Sequence, residues 1–394
     1  MIRSILLGLG LGALLAIVFA AGFMLNDAMD MQVMAAPASS STYALLDEVQ
    51  ALLDRFYVRE QPDEKVREYA AVRGLLTSLN DPYTFFIEPS TAASESDVLA
   101  GTYGGIGVQV VRSGPDSLVL YPFDDGPAAA AGVRPEDRLA AINGQTVDST
   151  MSLDAIDQML RGEVKPGSGV MLTVGRGEDE QDIFVPFAVI NVPSVVWRML
   201  DNEIGYVQIM RFSARTPDEL EAAASGLRDG GAQALVVDLR DNAGGLLQES
   251  IQVADAFIDS GPLVFERTPD GERTFNATEG GSLVDIPLRV LVNARTASGA
   301  EIVAGAILDS GRGDLMGEPT YGKGTVQQIL QLSDSSSLHV TSSEWFTPAR
   351  RPLDSIGLTP SVVVVADPTG IDNVLASAVD ALRAEMGTQE EGST

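Results

Sequence analysis

The sequence predicts a mixed α/β protein: a core of strand–turn–helix units, preceded by a small β-rich module and a helical arm. Three observations carry this. Ala234 to Leu239 is a continuous apolar run of strand length and Arg289 to Asn293 reads as another buried strand, each followed by a turn and a helix, as expected of parallel strands covered on both faces. Between Gly101 and Phe187, about five short alternating segments surround a single good helix, a small β-rich pattern. Upstream, Leu45, Leu46, Val49, Leu52, Leu53 and Phe56 recur at three- and four-residue spacing, which makes one amphipathic helix.

The residue counts close several chemistries. The chain has 394 residues, 55 acidic and 26 basic, for a formal charge of −29, with one histidine and no cysteine. Disulfide scaffolds, thiol nucleophiles and cysteine-bound zinc or iron–sulfur centres are excluded. Any Ser-His-Asp relay has to run through His339. So large a negative charge, with no local basic patch, argues against binding nucleic acid or an anionic lipid surface.

Residues 1–40 read as a membrane segment and linker. Ile5 to Leu25 is an unbroken apolar run, with Arg3 before it and Asp27 and Asp30 after it, long enough for a spanning helix. The positive end is expected to stay in the cytoplasm, with everything after Leu25 exported. A signal peptide cut near Ala35 and Ala36 is the alternative, and it too places the rest of the chain outside the cytoplasm. Residues 41–95 form the helical arm, in which a second pattern through Val66, Tyr69, Ala70, Leu75, Leu76 and Leu79 is stopped by Asn80-Asp81-Pro82.

Residues 96–190 form the β-rich module. Tyr103 to Val111 reads as a glycine-rich loop entering a strand, Ser117 to Tyr121 as its neighbour, and Asp137 to Gly144 as turn–strand–turn. The helix carries Leu153, Ile156, Met159 and Leu160 on one face, and Val170 to Val174 and Ile183 to Phe187 close the set. Unshielded backbone N–H groups in the loop suit it to gripping a carboxylate. The order of the GGIGVQV loop, the GPAAAAGVRPEDRLAAINGQ segment and the helix resembles a PDZ domain. That resemblance implies a peptide tail added as a strand beside Ile106 to Val110, Val108 included, with its carboxylate near Gly105 and Gly107.

Residues 191–368 form the core and 369–394 a final amphipathic helix and acidic tail. Gly205 to Met210 is a strand, and the next helix opens on Thr216-Pro217-Asp218-Glu219, a capping box, and stops at Gly230-Gly231. Ser298 lies where a buried strand ends and an apolar helix begins, the position of a nucleophile elbow, with helix N–H groups pointing at it. Ser298 with Glu301 three residues on also reads as an ordinary capping box.

Lys323 stands between two glycines in GEPTYGKGTVQ, one position short of a phosphate-binding P-loop. That motif requires Ser or Thr where Gly324 stands and a helix directly after it, whereas a strand follows. A lysine can take a proton from Ser298 only when neutral. Its ordinary pKa near ~10.4 must fall by about three, at roughly 4 kcal/mol, through burial and few anionic neighbours. Gln327, uncharged and on the same face by period two, can hold the amine without raising its pKa. His339 alternates with Leu338 and Val340, with no carboxylate orienter nearby in sequence. Gly244 and Gly245 follow a buried strand, so their N–H groups can face a developing oxyanion, with Gly299 N–H as second donor.

DLRDNAGGLL (Asp238 to Leu247), TASGAEIVAGA (Thr296 to Ala306) and GEPTYGKGTVQ (Gly317 to Gln327) resemble the three signature blocks of the carboxyl-terminal processing, or tail-specific, proteases. The PDZ-like module and Asp81-Pro82-Tyr83-Thr84 match as well. The resemblance implies a ClpP/crotonase-like protease core with an inserted PDZ domain. It implies Ser298 as acylating nucleophile, Lys323 as general base and later acid, Gln327 as orienter of the lysine, and Gly244 and Gly299 as oxyanion donors, with no metal or cofactor. Asp309 matches a position where some members carry an aspartate, and it is read as structural. Gly299, Ala243 and the Gly357-Leu358-Thr359-Pro360-Ser361 stretch depart from the usual pattern. The expected activity is endopeptidase cleavage of exported proteins with accessible C-termini; oligomerisation is possible. Two rival readings are a non-catalytic PDZ scaffold and a hydrolase using His339 as base.

Overall fold

The computed structural model describes residues 43–113, 117–148, 151–177, 179–201, 203–367 and 370–392; the apolar run from Ile5 to Leu25 lies outside them. Among the described residues no helix is long and apolar enough to cross a membrane. Two compact units part between Val72 and Arg73. The first holds helix α1 (Ala44–Phe56) and the start of α2 (Glu64–Thr77). On α1 the expected apolar stripe is present, and Leu45, Leu46, Val49, Leu52, Leu53 and Phe56 are all exposed.

After the end of α2, the second unit continues with a short strand β1 (Phe85–Ile87) and helix α3 (Pro89–Ala100). Both were folded into the helical arm by the sequence reading, which ended that arm at residue 95. β1 instead pairs with a core strand, Phe85 opposite His339, and α3 runs past 95. Three residues are too few to show a strand period, and the Ala/Ser-rich helix has no apolar stripe.

The β-rich module follows as β2 (Thr102–Gly105), β3 (Val108–Arg112), β4 (Leu118–Pro122), α4 (Pro127–Ala130), β5 (Asp137–Ile142), β6 (Gln145–Thr146), α5 (Leu153–Met159), β7 (Gly169–Arg176), β8 (Asp179–Pro186) and β9 (Ala188–Asn191). Its main sheet has the order β3-β4-β5-β7-β8, and β2 pairs with β9 as a separate ribbon. β3 therefore lies at a sheet edge, which leaves backbone groups available to an added strand. Ile106, Leu120, Ile142, Ile156 and Leu172 fill the module's own core. Asp137, the first residue of β5, is buried and pairs with Arg176 of β7 at 2.7 Å.

The core runs β10 (Val195–Met199), β11 (Ile204–Ile209), α6 (Thr216–Asp229), β12 (Ala234–Asp238), α7 (Leu247–Asp255), β13 (Pro262–Thr268), β14 (Gly271–Asn276), β15 (Leu288–Val292), α8 (Gly299–Asp309), β16 (Asp314–Gly317), β17 (Thr325–Gln331), β18 (Ser337–Phe346), β19 (Val362–Val363) and α9 (Asn373–Gly392). Its main sheet has the order β10-β11-β12-β15-β16-β19, parallel from β11 onward. Every residue of β12 is buried. One face of the sheet packs under α6, α7 and α8, the other against Val374, Ala378 and Leu382 of α9. A second, antiparallel sheet carries β1, β18, β13 and β14, with β17 also on β18.

Where α6 begins, the expected capping box is used differently. The Glu219 carboxylate accepts from Ser194 and Val195 N–H groups at 2.7 and 3.1 Å, so it ties the helix to β10.

Candidate active site

Ser298 closes the loop from β15 to α8 with φ 55° and ψ −119°. A side chain rarely adopts that conformation, and it is the strained turn that lifts a nucleophile clear of its sheet. Neighbouring bonds hold the strain. Thr296 Oγ1 donates to the Leu239 carbonyl at 2.9 Å, Ala297 N–H to the Asn242 carbonyl at 2.9 Å, and Asn293 Nδ2 to Asp241 at 2.7 Å. The serine loop is thus stitched to the loop after β12.

Lys323 comes to the same place from the loop before β17. Its N–H donates to Glu301 Oε2 at 2.9 Å and its carbonyl accepts from the buried Trp345 indole at 3.0 Å. The backbone is fixed on both sides while the amine lies over the Tyr83 ring, 5.1 Å from its centroid. Burial pushes the amine's pKa below the ordinary lysine value. Tyr83 is itself pushed up to about 12, first by burial and then by its hydrogen bond to Tyr321 and the nearby charges of Asp354 and Glu301.

Glu301, which the sequence presents as half of a local cap, is a fully buried hub. One carboxylate oxygen accepts from the N–H groups of Ser298 and Lys323, both at 2.9 Å. The other accepts from Gly322 N–H at 2.7 Å and Thr320 Oγ1 at 2.5 Å. A single side chain therefore sets the register between the serine loop and the lysine loop. The capping-box spacing signalled the residue, but its partners near 320 lie beyond any local pattern.

Ser298, Lys323, Gln327 and Gly299 line one cavity of about 390 Å³, with apolar walls from Leu246, Leu247 and Ile302. Lys323, Thr325, Gln327 and Ile329 alternate along that wall. Gln327 does not reach the lysine: its amide donates to Thr325 and Thr341 hydroxyls at 3.0 and 3.4 Å. Among the described residues no hydrogen bond joins the Lys323 amine to Ser298 Oγ.

Gly244 departs from its expected role. Its N–H donates to Asn242 Oδ1 at 2.8 Å, because an asparagine two residues earlier competes for the turn's donors. Gly244 packs on the serine, a Cβ there falling 2.8 Å from Ser298 Cβ. Ala243 and Gly245, not Gly244, line the cavity. Gly299 N–H opens α8 beside Ser298, and no internal acceptor takes it among the described residues. Gly245 has φ 148°, and a Cβ there would lie 2.1 Å from the Phe212 carbonyl, which accepts from Leu246 N–H. Gly245→Ala is expected to cost more than about 2 kcal/mol in urea unfolding; an unchanged midpoint would count against this packing.

His339 also lines the cavity. It stacks on Phe85 at 4.4 Å and meets Glu95 Oε2 at 2.9 Å, so a carboxylate partner exists, 244 residues away in sequence. Asp309 is buried at the far end of α8, pairing with Arg351 at 2.9 Å and accepting Ala349 N–H at 2.9 Å. It holds a turn and stays out of the cavity.

In the module, a groove of about 510 Å³ runs between the edge of β3 and α5, lined by Val108, Val110, Tyr103 and Leu153. Gly105 ends β2, and Ile106 and Gly107 form the turn just before Val108. Gly105 pairs with Ala188, and the carbonyls of buried Ile106 and of Gly107 accept from Ala128 and Phe123.

Residues 203–364 match the model for peptidase family S41 and residues 104–186 that for a PDZ domain. The carboxy-terminal processing protease CtpA of Bacillus subtilis is 32% identical over 83% of this chain and 70% of its own length. A carboxy-terminal-processing protease of Bartonella bacilliformis is 35% identical over 78% of this chain and 71% of its own. Among solved structures, the photosystem II D1 C-terminal processing protease is 30% identical with a TM-score of 0.49, covering 84% of this chain and 90% of its own. The chain belongs to peptidase family S41 and is a serine-type, carboxyl-terminal processing peptidase that carries a PDZ domain.

Proposed function

We propose that the chain is an endopeptidase of exported proteins that holds a substrate's C-terminal tail in its PDZ groove and cleaves with a Ser298–Lys323 dyad. Ser298 Oγ attacks the scissile carbonyl while the neutral Lys323 amine takes the hydroxyl proton. The amine then hands that proton to the leaving amine as the C–N bond breaks, which leaves an acyl-enzyme on Ser298. Water, deprotonated by the same amine, attacks the ester, and Ser298 is released with its proton. Gly299 N–H stabilises the oxyanion; Gly244 N–H joins it once its bond to Asn242 is released.

One observation carries the reading: a serine at positive φ and a lysine whose pKa is lowered by burial share one cavity. The gap between the amine and Ser298 Oγ, and the engagement of Gln327 with threonines, support a resting alignment that substrate corrects. Gln327 would then turn its amide oxygen to the amine. Export rests on the run from Ile5 to Leu25 and makes the chain a membrane-held enzyme of an extracytoplasmic compartment.

A second reading has its own support, since His339 with Glu95 lines the same cavity; it makes imidazole the base. The test is cleavage of an unstructured reporter bearing a free apolar C-terminus by wild type, Ser298→Ala, Lys323→Ala and His339→Ala. We expect cleavage by wild type and His339→Ala only, and a kcat/KM roughly tenfold lower when the reporter's tail is removed. Negligible cleavage by all four would favour a scaffold, and loss confined to Ser298→Ala and His339→Ala would favour the imidazole.

A further inference from the structure

The PDZ groove is not walled by the module alone. Asn191, Val192 and Pro193, where the chain leaves the module, and Arg211, just after β11 of the protease core, complete its rim. Its charged side chains differ sharply in how they are engaged. Arg161 is occupied: its Nε pairs with Asp157 at 2.6 Å and its guanidinium lies 4.1 Å above the Tyr103 ring. Asp157 is spent on that pair. Asp97, at the mouth, has its carboxyl pushed up, first by burial, with Arg161 as its nearest cationic influence. Arg211 is half-buried, and among the described residues its guanidinium has no carboxylate, carbonyl or aromatic partner. In a chain of charge −29, an unmatched guanidinium on a residue lining a groove is conspicuous.

Building on the tail-binding reading above, we propose that Arg211 selects tails by taking the carboxylate of an acidic side chain in the bound peptide, upstream of its last residue. The groove's apolar wall, Val108, Val110 and Leu153, offers contact without sign, and its other arginine, Arg161, is already held by Asp157. A guanidinium offers paired donors matched to a carboxylate, and it loses water cheaply on the way. An isosteric glutamine in the peptide loses the charge-assisted bonds, and a lysine is repelled. Because Arg211 belongs to the core, part of the tail preference resides in the protease and not in the PDZ fold.

The experiment uses the full chain with Ser298→Ala, which prevents turnover, and fluorescein-labelled decapeptides with apolar C-termini. Glutamate is placed in turn at each of the last six positions, with glutamine at the same place as control, and affinity is read by anisotropy. We expect one upstream position at which glutamate binds about tenfold tighter than glutamine. Arg211→Gln should bring that ratio near one, Arg211→Lys should keep part of it, and Arg211→Glu should turn it in favour of lysine-bearing peptides. A glutamate preference unaltered by Arg211→Gln overturns the inference while leaving tail binding intact. So does an Arg211→Gln effect that is equal for glutamate and glutamine peptides and vanishes when the peptide's terminal carboxylate is amidated. Failure of every peptide to bind overturns the tail-binding reading and this inference with it.

Discussion

Ser298→Ala and Lys323→Ala are each expected to lower kcat by roughly 10⁴- to 10⁶-fold, and the double variant by no more than the worse single change. In the proposed dyad the two groups act as one unit: an unattended hydroxyl is a poor nucleophile, and the amine alone attacks nothing. Independent, multiplying losses would mean that they serve separate steps. The lysine also carries a stability signature of its own. Its folded pKa lies below the unfolded value because burial disfavours the charge. The folded chain therefore binds fewer protons than the unfolded one. That penalty is complete below the folded pKa and vanishes as pH rises through the unfolded value near ~10.4. Lys323→Met, which fills the same space without a charge, is accordingly expected to melt no lower than wild type at neutral pH while losing activity. A clear drop in melting temperature would mean that the amine is structurally paired.

The second large effect falls on Glu301. Its replacement by alanine leaves Ser298, Gly322 and Lys323 N–H groups and the Thr320 hydroxyl without the acceptor they now share. Each buried donor stripped of its partner costs about 1–3 kcal/mol, so a loss of roughly 3 kcal/mol or more is expected in calorimetry. Glu301→Gln is instructive because it keeps the shape and one accepting oxygen, but turns an NH₂ toward two of the four donors. It should fold, melt lower than wild type, and show kcat reduced by about 10²-fold or more, since a misplacement near 1 Å is enough. Full kcat in a destabilised Glu301→Gln would show that the carboxylate holds the fold without aligning the dyad.

What the sequence made legible follows from range. β12 declares itself as a continuous apolar run and β15 as a short, mostly apolar one, and each hands its chain to a turn and a helix. Parallel sheet and elbow are therefore readable from local pattern. The Ser298 and Lys323 blocks could be matched because each is contiguous. Glu301 was hidden by its own plausibility: the capping-box spacing explained it locally, and nothing nearby announced the loop at 320–323. His339 and Glu95 meet only because β1 pairs with β18 and delivers α3 to the cavity rim, a contact that no window on the sequence contains. Gly244 differs for the opposite reason. Its backbone freedom was read correctly, but the Asn242 side chain, two residues away, takes the N–H first. Arg211 looks like any surface arginine until the module's groove and the core's strand end are brought together.

The most direct test of the dyad is the rate at which a serine-directed fluorophosphonate labels the enzyme, followed by intact mass from pH 5 to 10 in wild type, Lys323→Ala and His339→Ala. One adduct is predicted, on Ser298, at a rate that climbs with pH through a midpoint below the ordinary lysine value of ~10.4. His339→Ala should keep that rise and Lys323→Ala should lose it. Label on another residue, or a rise near the ordinary histidine value of ~6.5 that disappears in His339→Ala and survives in Lys323→Ala, would contradict the assignment.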